Sequence, residues 1–180
     1  MEQFNTIENV KDMFQKVNGI GKTNCYFLGY VTTPTSAAVL GGAVGGIIAG
    51  MKANAENQCQ AYLINQTENG IGLIPLNSTS GTLLSYKPDK LIATPERFTF
   101  INQNDIASVK IKRANLISLV SKNVIIELNN GRKYNLQVNN KEKNIPYHEA
   151  NFAEFMNRYK KWYWWVNRYK KLLGNFDLFF

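Results

Sequence analysis

Between Cys59 and Val138 the chain is a succession of short apolar stretches separated by turn residues, and one long amphipathic helix follows. Strands spaced this closely, with no helical stretch between them, pair antiparallel. Gln60–Asn65 and Ile71–Leu76 flank Thr67-Glu68-Asn69-Gly70, and an Asn-Gly pair between apolar runs marks a hairpin. Further strands are expected at 82–86, 90–93 and 97–101, the last with Phe98 and Phe100 on one face. Asp105–Arg113 alternates, which places Val109 and Ile111 inward and Lys110 and Lys112 outward. Asn123–Leu128 and Lys133–Val138 enclose Asn130-Gly131, a second hairpin. The expected class is mainly β with a C-terminal α-helix.

That helix is expected over 149–173. Phe152, Phe155, Met156, Tyr159, Trp162, Tyr163 and Val166 fall on one stripe at a 3.6-residue period, suited to covering a sheet or the open end of a barrel. Lys161, Arg168 and Lys171 fall on the opposite side, flanked by Trp164 and Trp165. Residues 158–171 hold six bases and no acid, in a chain whose 21 basic and 13 acidic residues leave a charge of +8. Such a cluster attracts phosphate-bearing surfaces. Lys161, Trp164, Trp165, Arg168 and Lys171 are therefore the candidate contacts for an anionic membrane surface or a protein partner. Arginine and lysine interleaved with aromatic rings also suit nucleic acid, the second reading. The plain alternative is a solvated face that keeps the protein soluble.

Residues 1–58 read as an appendage to a domain at 59–173, with an apolar tail at 174–180. Ile7, Val10, Phe14 and Val17 predict a helix over 5–18, capped by Asn5 or Thr6 and ended by Gly19. Gly19-Ile20-Gly21-Lys22-Thr23 ends like a phosphate-binding loop, but that motif needs a glycine where Lys16 stands and a strand before it. Cys25–Val31 is an expected strand. From Thr23 to Met51 no residue is charged, and Gly42, Gly46 and Gly50 recur every four residues. That spacing stacks small residues on one helical face, where a second backbone can approach closely. Three readings stay open for this segment: membrane contact, packing on the domain or in an oligomer, and a mobile loop. Its apolar part, 36–51, is shorter than the roughly 20 residues a spanning helix needs.

No catalytic constellation is marked, and the expectation is a binding protein without cofactor or metal. His148 is the only histidine and reads as an exposed residue at a helix start. Glu149 and Glu154 are five apart and do not share a helix face. Cys25 and Cys59 read as buried thiols, too few for a disulfide framework. Met1-Glu2-Gln3-Phe4 leads into no apolar run, so a cytoplasmic-facing protein is expected, peripheral at most at the inner face of a membrane.

The order of these elements resembles the pleckstrin-homology superfold, in particular GRAM-like and bacterial PH-like domains. The residues that carry the resemblance are Tyr62-Leu63-Ile64 with Gly70-Ile71-Gly72-Leu73-Ile74, the strand Asp105–Lys112, and the hairpin at Asn130-Gly131 before the closing helix. The resemblance covers about 59–165 and implies a bent, partly open barrel of about seven strands with one end capped by the helix. Members that recognise phosphoinositides use bases in and beside the first hairpin loop. Here that loop is Thr67-Glu68-Asn69-Gly70, without lysine or arginine, and no selective inositol-phosphate binding is expected.

Overall fold

The computed structural model describes residues 4–32, 59–78, 88–114 and 120–159. A helix, α1 (Ile7–Lys16), is followed by eight strands: β1 (Cys25–Val31), β2 (Ala61–Gln66), β3 (Gly70–Ser78), β4 (Leu91–Ala93), β5 (Thr99–Asn102), β6 (Ile106–Arg113), β7 (Ser121–Leu128) and β8 (Lys133–Asn139). A second helix, α2, starts at 148 and is described to 159. All strand pairs are antiparallel, in the order β4-β3-β2-β1-β8-β7-β6. β5 pairs with β3 off this path, so β3 gives Gly70–Leu73 to β5 and Leu76–Ser78 to β4. The path has two ends. Among the described residues the sheet is therefore not a closed ring, and it has eight strands where a partly open barrel of about seven was expected.

The additional strand is β1, and its position corrects the boundary drawn at 58/59. β1 lies between β2 and β8 at the centre of the sheet, so that boundary cuts through one sheet. The reason is legible in its side chains. Every residue of Cys-Tyr-Phe-Leu-Gly-Tyr-Val is buried, as is all of β2, because both faces of this half of the sheet are covered. On one side Phe27, Tyr62, Ile64, Ile71 and Leu73 join residues of β6–β8 and the α2 residues Phe152, Phe155 and Tyr159 in one cluster. The Phe27 ring lies 4.7 Å from Phe155 and 5.3 Å from Phe152, centroid to centroid. On the other side Tyr26, Leu28, Leu63, Ile74 and Leu76 pack under Val10 and Phe14 of α1. Strands β6–β8 instead mix buried positions with half-buried and exposed ones, in near alternation along β7 and β8.

The first helix ends as its chemistry requires, at Lys16, two residues before the expected end at 18. Thr6 caps its start by accepting from the Asn9 amide. At the other end Asn18 takes φ 55° and donates to the Gln15 carbonyl, while Gly19 donates to Phe14. These paired bonds around a left-handed residue are a Schellman cap, which asparagine can host. Gly19 is kept small by a neighbour: a Cβ there would come within 2.8 Å of the Phe98 ring.

The α2 stripe is as expected through Tyr159, with Phe152, Phe155 and Tyr159 buried and Met156 packed beside them. The strand expected at 82–86, the ladder Gly42, Gly46 and Gly50, and everything beyond 159 lie outside the described residues.

Candidate functional site

Two adjoining depressions open where the first hairpin, the end of β5 and the β7–β8 hairpin meet. The larger, about 710 Å³, lies between the loop Thr67–Asn69, the turn Asn102–Asn104 and the residues after α1, Asn18 and Ile20. The smaller, about 300 Å³, lies between β5 and the second hairpin, with Asp105, Asn129, Arg132 and Tyr134 on its walls. Phe100 borders both. Their polar groups are chiefly side-chain amides. Asn69 donates to Glu68 (3.3 Å), Asn102 to Asp105 (3.4 Å) and Asn129 to the Asn104 carbonyl (2.7 Å). The Arg132 guanidinium sits 5.0 Å from the Tyr134 ring centroid, a cation–π contact. Such a surface can hold a polar ligand.

The first hairpin loop has another occupation. Glu68 accepts from the Lys22 and Thr23 amides, each at 2.9 Å, and from the Thr23 hydroxyl at 3.1 Å. The backbone bonds hold its carboxyl down at about 2, those from Thr23 and Lys22 foremost. The Lys22 and Thr23 amides thus face an anion, as amides of a phosphate loop do, but the anion is a carboxylate of the same chain, and the Gly21 amide donates to Asn24 at 3.0 Å instead. The loop is acidic because it fastens the α1–β1 connection to the first hairpin. Asn65 reinforces the join, donating to the Gly19 carbonyl (2.8 Å) and to Asn24 (2.9 Å).

Arg158 is brought to the same place from α2. It donates to Gln66 (2.8 Å) and to the Thr23 hydroxyl (3.2 Å) and pairs with Glu154 one turn earlier. This residue begins the base-rich run of the C-terminal helix, and here it is a tie between helix and hairpin. Glu154 is held below the usual carboxylate range by its bond to Arg158. Of the bases on the sheet, Lys110 and Lys133 share Glu127 at 3.3 and 2.9 Å. Lys112 and Arg113 are exposed at the end of β6. The candidate contacts Lys161, Trp164, Trp165, Arg168 and Lys171 lie outside the described residues.

His148 corrects a further expectation. It is fully buried, because α2 begins inside the molecule, against β1. Cys25 and Cys59 are buried and free. Burial pushes their thiols up to about 12 and about 11, which leaves them protonated and unreactive. Among the described residues no group of three histidine, cysteine, aspartate or glutamate side chains could hold a metal ion, and no helix is long and apolar enough to cross a membrane. Comparison with family models, with curated proteins and with solved structures gave no match.

Proposed function

We propose that the chain is a non-enzymatic PH/GRAM-like binding module that works peripherally at an anionic membrane surface. The observation that carries this reading is the filled core between the sheet and α2. Phe27, Tyr62, Tyr134, Phe152 and Phe155 are packed there, each at most 2% exposed, where a ligand-carrying barrel would keep a chamber. Binding is left to the rim, the loops and the outer faces. The surplus of eight positive charges sets the sign of the partner. The loop in which phosphoinositide-binding members keep their bases is tied up by Glu68, so attraction to bulk lipid charge is favoured over recognition of one headgroup.

The test is sedimentation of the full chain with vesicles of phosphatidylcholine alone and of equal parts phosphatidylcholine and phosphatidylserine, at low and physiological salt. Binding to the anionic vesicles that weakens as salt rises is expected. A chain that ignores anionic vesicles at low salt, or that prefers a single-stranded oligonucleotide to them, overturns the reading.

A further inference from the structure

We propose that the two depressions joined at Phe100 form one cleft that binds a neutral hexopyranose, its apolar ring face against Phe100 and Ile20 and its hydroxyls on the surrounding side-chain amides. The inference is independent of the membrane reading, because this cleft lacks the charge on which that reading depends.

The chemistry of the walls is the first observation. Seven of the seventeen residues that line the two depressions carry a side-chain amide. Asn69 comes from the first hairpin, Gln103 and Asn104 from the turn between β5 and β6, and Asn129 and Asn130 from the β7–β8 hairpin. An amide side chain both donates and accepts, and so does each hydroxyl of a sugar. Among the described residues no hydrogen bond uses the side chains of Gln103 and Asn104, so both face solvent ready for a ligand.

The second observation is where apolar surface has been left. Ile20 is 41% exposed, and with Val120 it is one of two large apolar residues left exposed among those described. It stands on the wall that follows α1, while the half-buried Phe100 stands on β5. The place of Phe100 is set in advance: it pairs with Gly72 of β3, and its ring lies 6.4 Å from that of Phe98. A pyranose has an apolar C–H face inside a rim of hydroxyls, and this cleft offers contacts of both kinds.

Charge excludes the competing ligands. The ionic side chains on the walls are Glu68 and Asp105 against Arg132, which lies over the Tyr134 ring. Two carboxylates to one base, in a chain with a surplus of eight positive charges, is the reverse of what a phosphate needs. A peptide is read along a strand edge with pockets for alternate side chains, whereas these amides come from turns. The volumes, about 710 and 300 Å³, suit a small ligand, for which clefts of about 300–1,000 Å³ are usual.

The test is amide-resolved NMR of the full chain with maltotriose, cellotriose and lactose, which present glucose in both linkages and a terminal galactose. Shifts confined to the cleft, including the side-chain amides of Asn69, Gln103 and Asn104, are expected with at least one sugar, at a Kd of about 1 mM or tighter. The double variant Gln103→Ala, Asn104→Ala removes two ligand hydrogen bonds and none within the fold. It should keep the wild-type melting temperature and bind at least about tenfold more weakly. Sedimentation at high salt with phosphatidylcholine vesicles, with and without a neutral glucosyl diacylglycerol, separates the sources of the ring. Binding to the glycolipid vesicles alone, lost in the double variant, assigns the cleft to a headgroup; binding to the soluble sugars assigns it to a free glycan. No shift with any sugar and no sedimentation with the glycolipid overturns the proposal. So does sugar binding that the double variant leaves intact, or a single-stranded oligonucleotide that shifts the cleft amides where the sugars do not. None of these outcomes depends on attraction to anionic vesicles.

Discussion

The imidazole of His148 occupies the place in the sheet where Leu28 would otherwise meet β8. Tyr30 pairs with Gln137 and Val31 with Leu136, and two residues further along the same register Leu28 would face Asn139. Instead the Leu28 amide donates to Nδ1 of His148 at 3.1 Å, and the Nε2 side of the ring bonds the Asn139 carbonyl at 2.7 Å. An acceptor role for Nδ1 places the ring's proton on Nε2, the tautomer that satisfies both neighbours. Three residues on, Asn151 accepts from the Tyr26 amide at 2.9 Å. The first turn of α2 thus takes over the hydrogen bonding of β1 where β8 diverges from it. From that turn Phe152 and Phe155 reach the Phe27 ring on the α2 side of the sheet.

A cation is disfavoured in this place. Protonation would put an N–H on Nδ1 against the Leu28 N–H, inside a shell made by Phe27 and Phe152. The ionisable neighbour acting on the ring is Glu149, whose attraction is outweighed by burial, so the His148 pKa lies below 6.5. The folded pKa is depressed, so the contribution of neutral His148 is fully present above about 6.5 and is lost as pH falls through the folded value. Stability measured by urea melts should be level from pH 8 to about 6.5 and should then decline. His148→Leu should cost about 3 kcal/mol by orphaning two buried backbone groups, and should flatten that limb of the profile. A wild-type profile level down to pH 5, or one that His148→Leu leaves unchanged in shape, would refute this arrangement.

Strands and hairpins were legible in the chain because local chemistry specifies them: Asn69-Gly70 and Asn130-Gly131 mark turns, and β6 alternates in the open. The same reasoning placed the aromatic stripe of α2 through Tyr159. What local pattern does not carry is partnership. β1 reads as one more apolar run, and nothing within Cys25–Val31 says that its neighbours are β2 and β8. His148 read as exposed because a helix start is commonly at the surface; only the missing β1–β8 ladder gives it a buried function. A trace was present in the alternation at 133–138, which is absent from 25–31 and 61–66: continuous burial marks strands covered on both faces, and it required a layer such as α1 over them.

The central position of β1 makes a prediction about fragments. Residues 59–173, without β1 and α1, would expose the edges of both β2 and β8 and uncover Leu63, Ile74 and Leu76. Circular dichroism should show no cooperative melt for this fragment. Adding residues 1–32 as a separate peptide should restore one. A fragment that melts cooperatively alone would return the domain boundary to 58/59.

Glu68 fixes the loop 21–24 by accepting from three donors at once. Glu68→Gln keeps the shape but presents one acceptor oxygen in place of two, so the Lys22 and Thr23 amides should exchange with solvent faster and the melting temperature should fall. The folded pKa of about 2 lies below the ordinary 4.5, so the contribution of the carboxylate is present above about 4.5 and is lost as pH falls toward 2. Wild type and Glu68→Gln should therefore converge in melting temperature at acid pH. Equal amide exchange in the two proteins at neutral pH would show that the lock is not closed in solution.

Two glycines with positive φ separate backbone strain from steric collision. Gly131, in the β7–β8 turn, has φ 84° and nothing within 4 Å of where a Cβ would stand. Gly70, at the start of β3, has φ 153°, and a Cβ there would lie 2.1 Å from the Ile101 carbonyl oxygen, across the β3–β5 pairing. Gly131→Ala meets only the left-handed penalty, about 1–2 kcal/mol. Gly70→Ala must also push β5 away from β3, and with it the Phe100 that borders both depressions, so its cost should exceed about 3 kcal/mol. Denaturant melts of the two variants read the difference directly. If Gly70→Ala costs no more than Gly131→Ala, β5 is not held against β3 at Gly70, and the walls of the cleft are not fixed by that pairing.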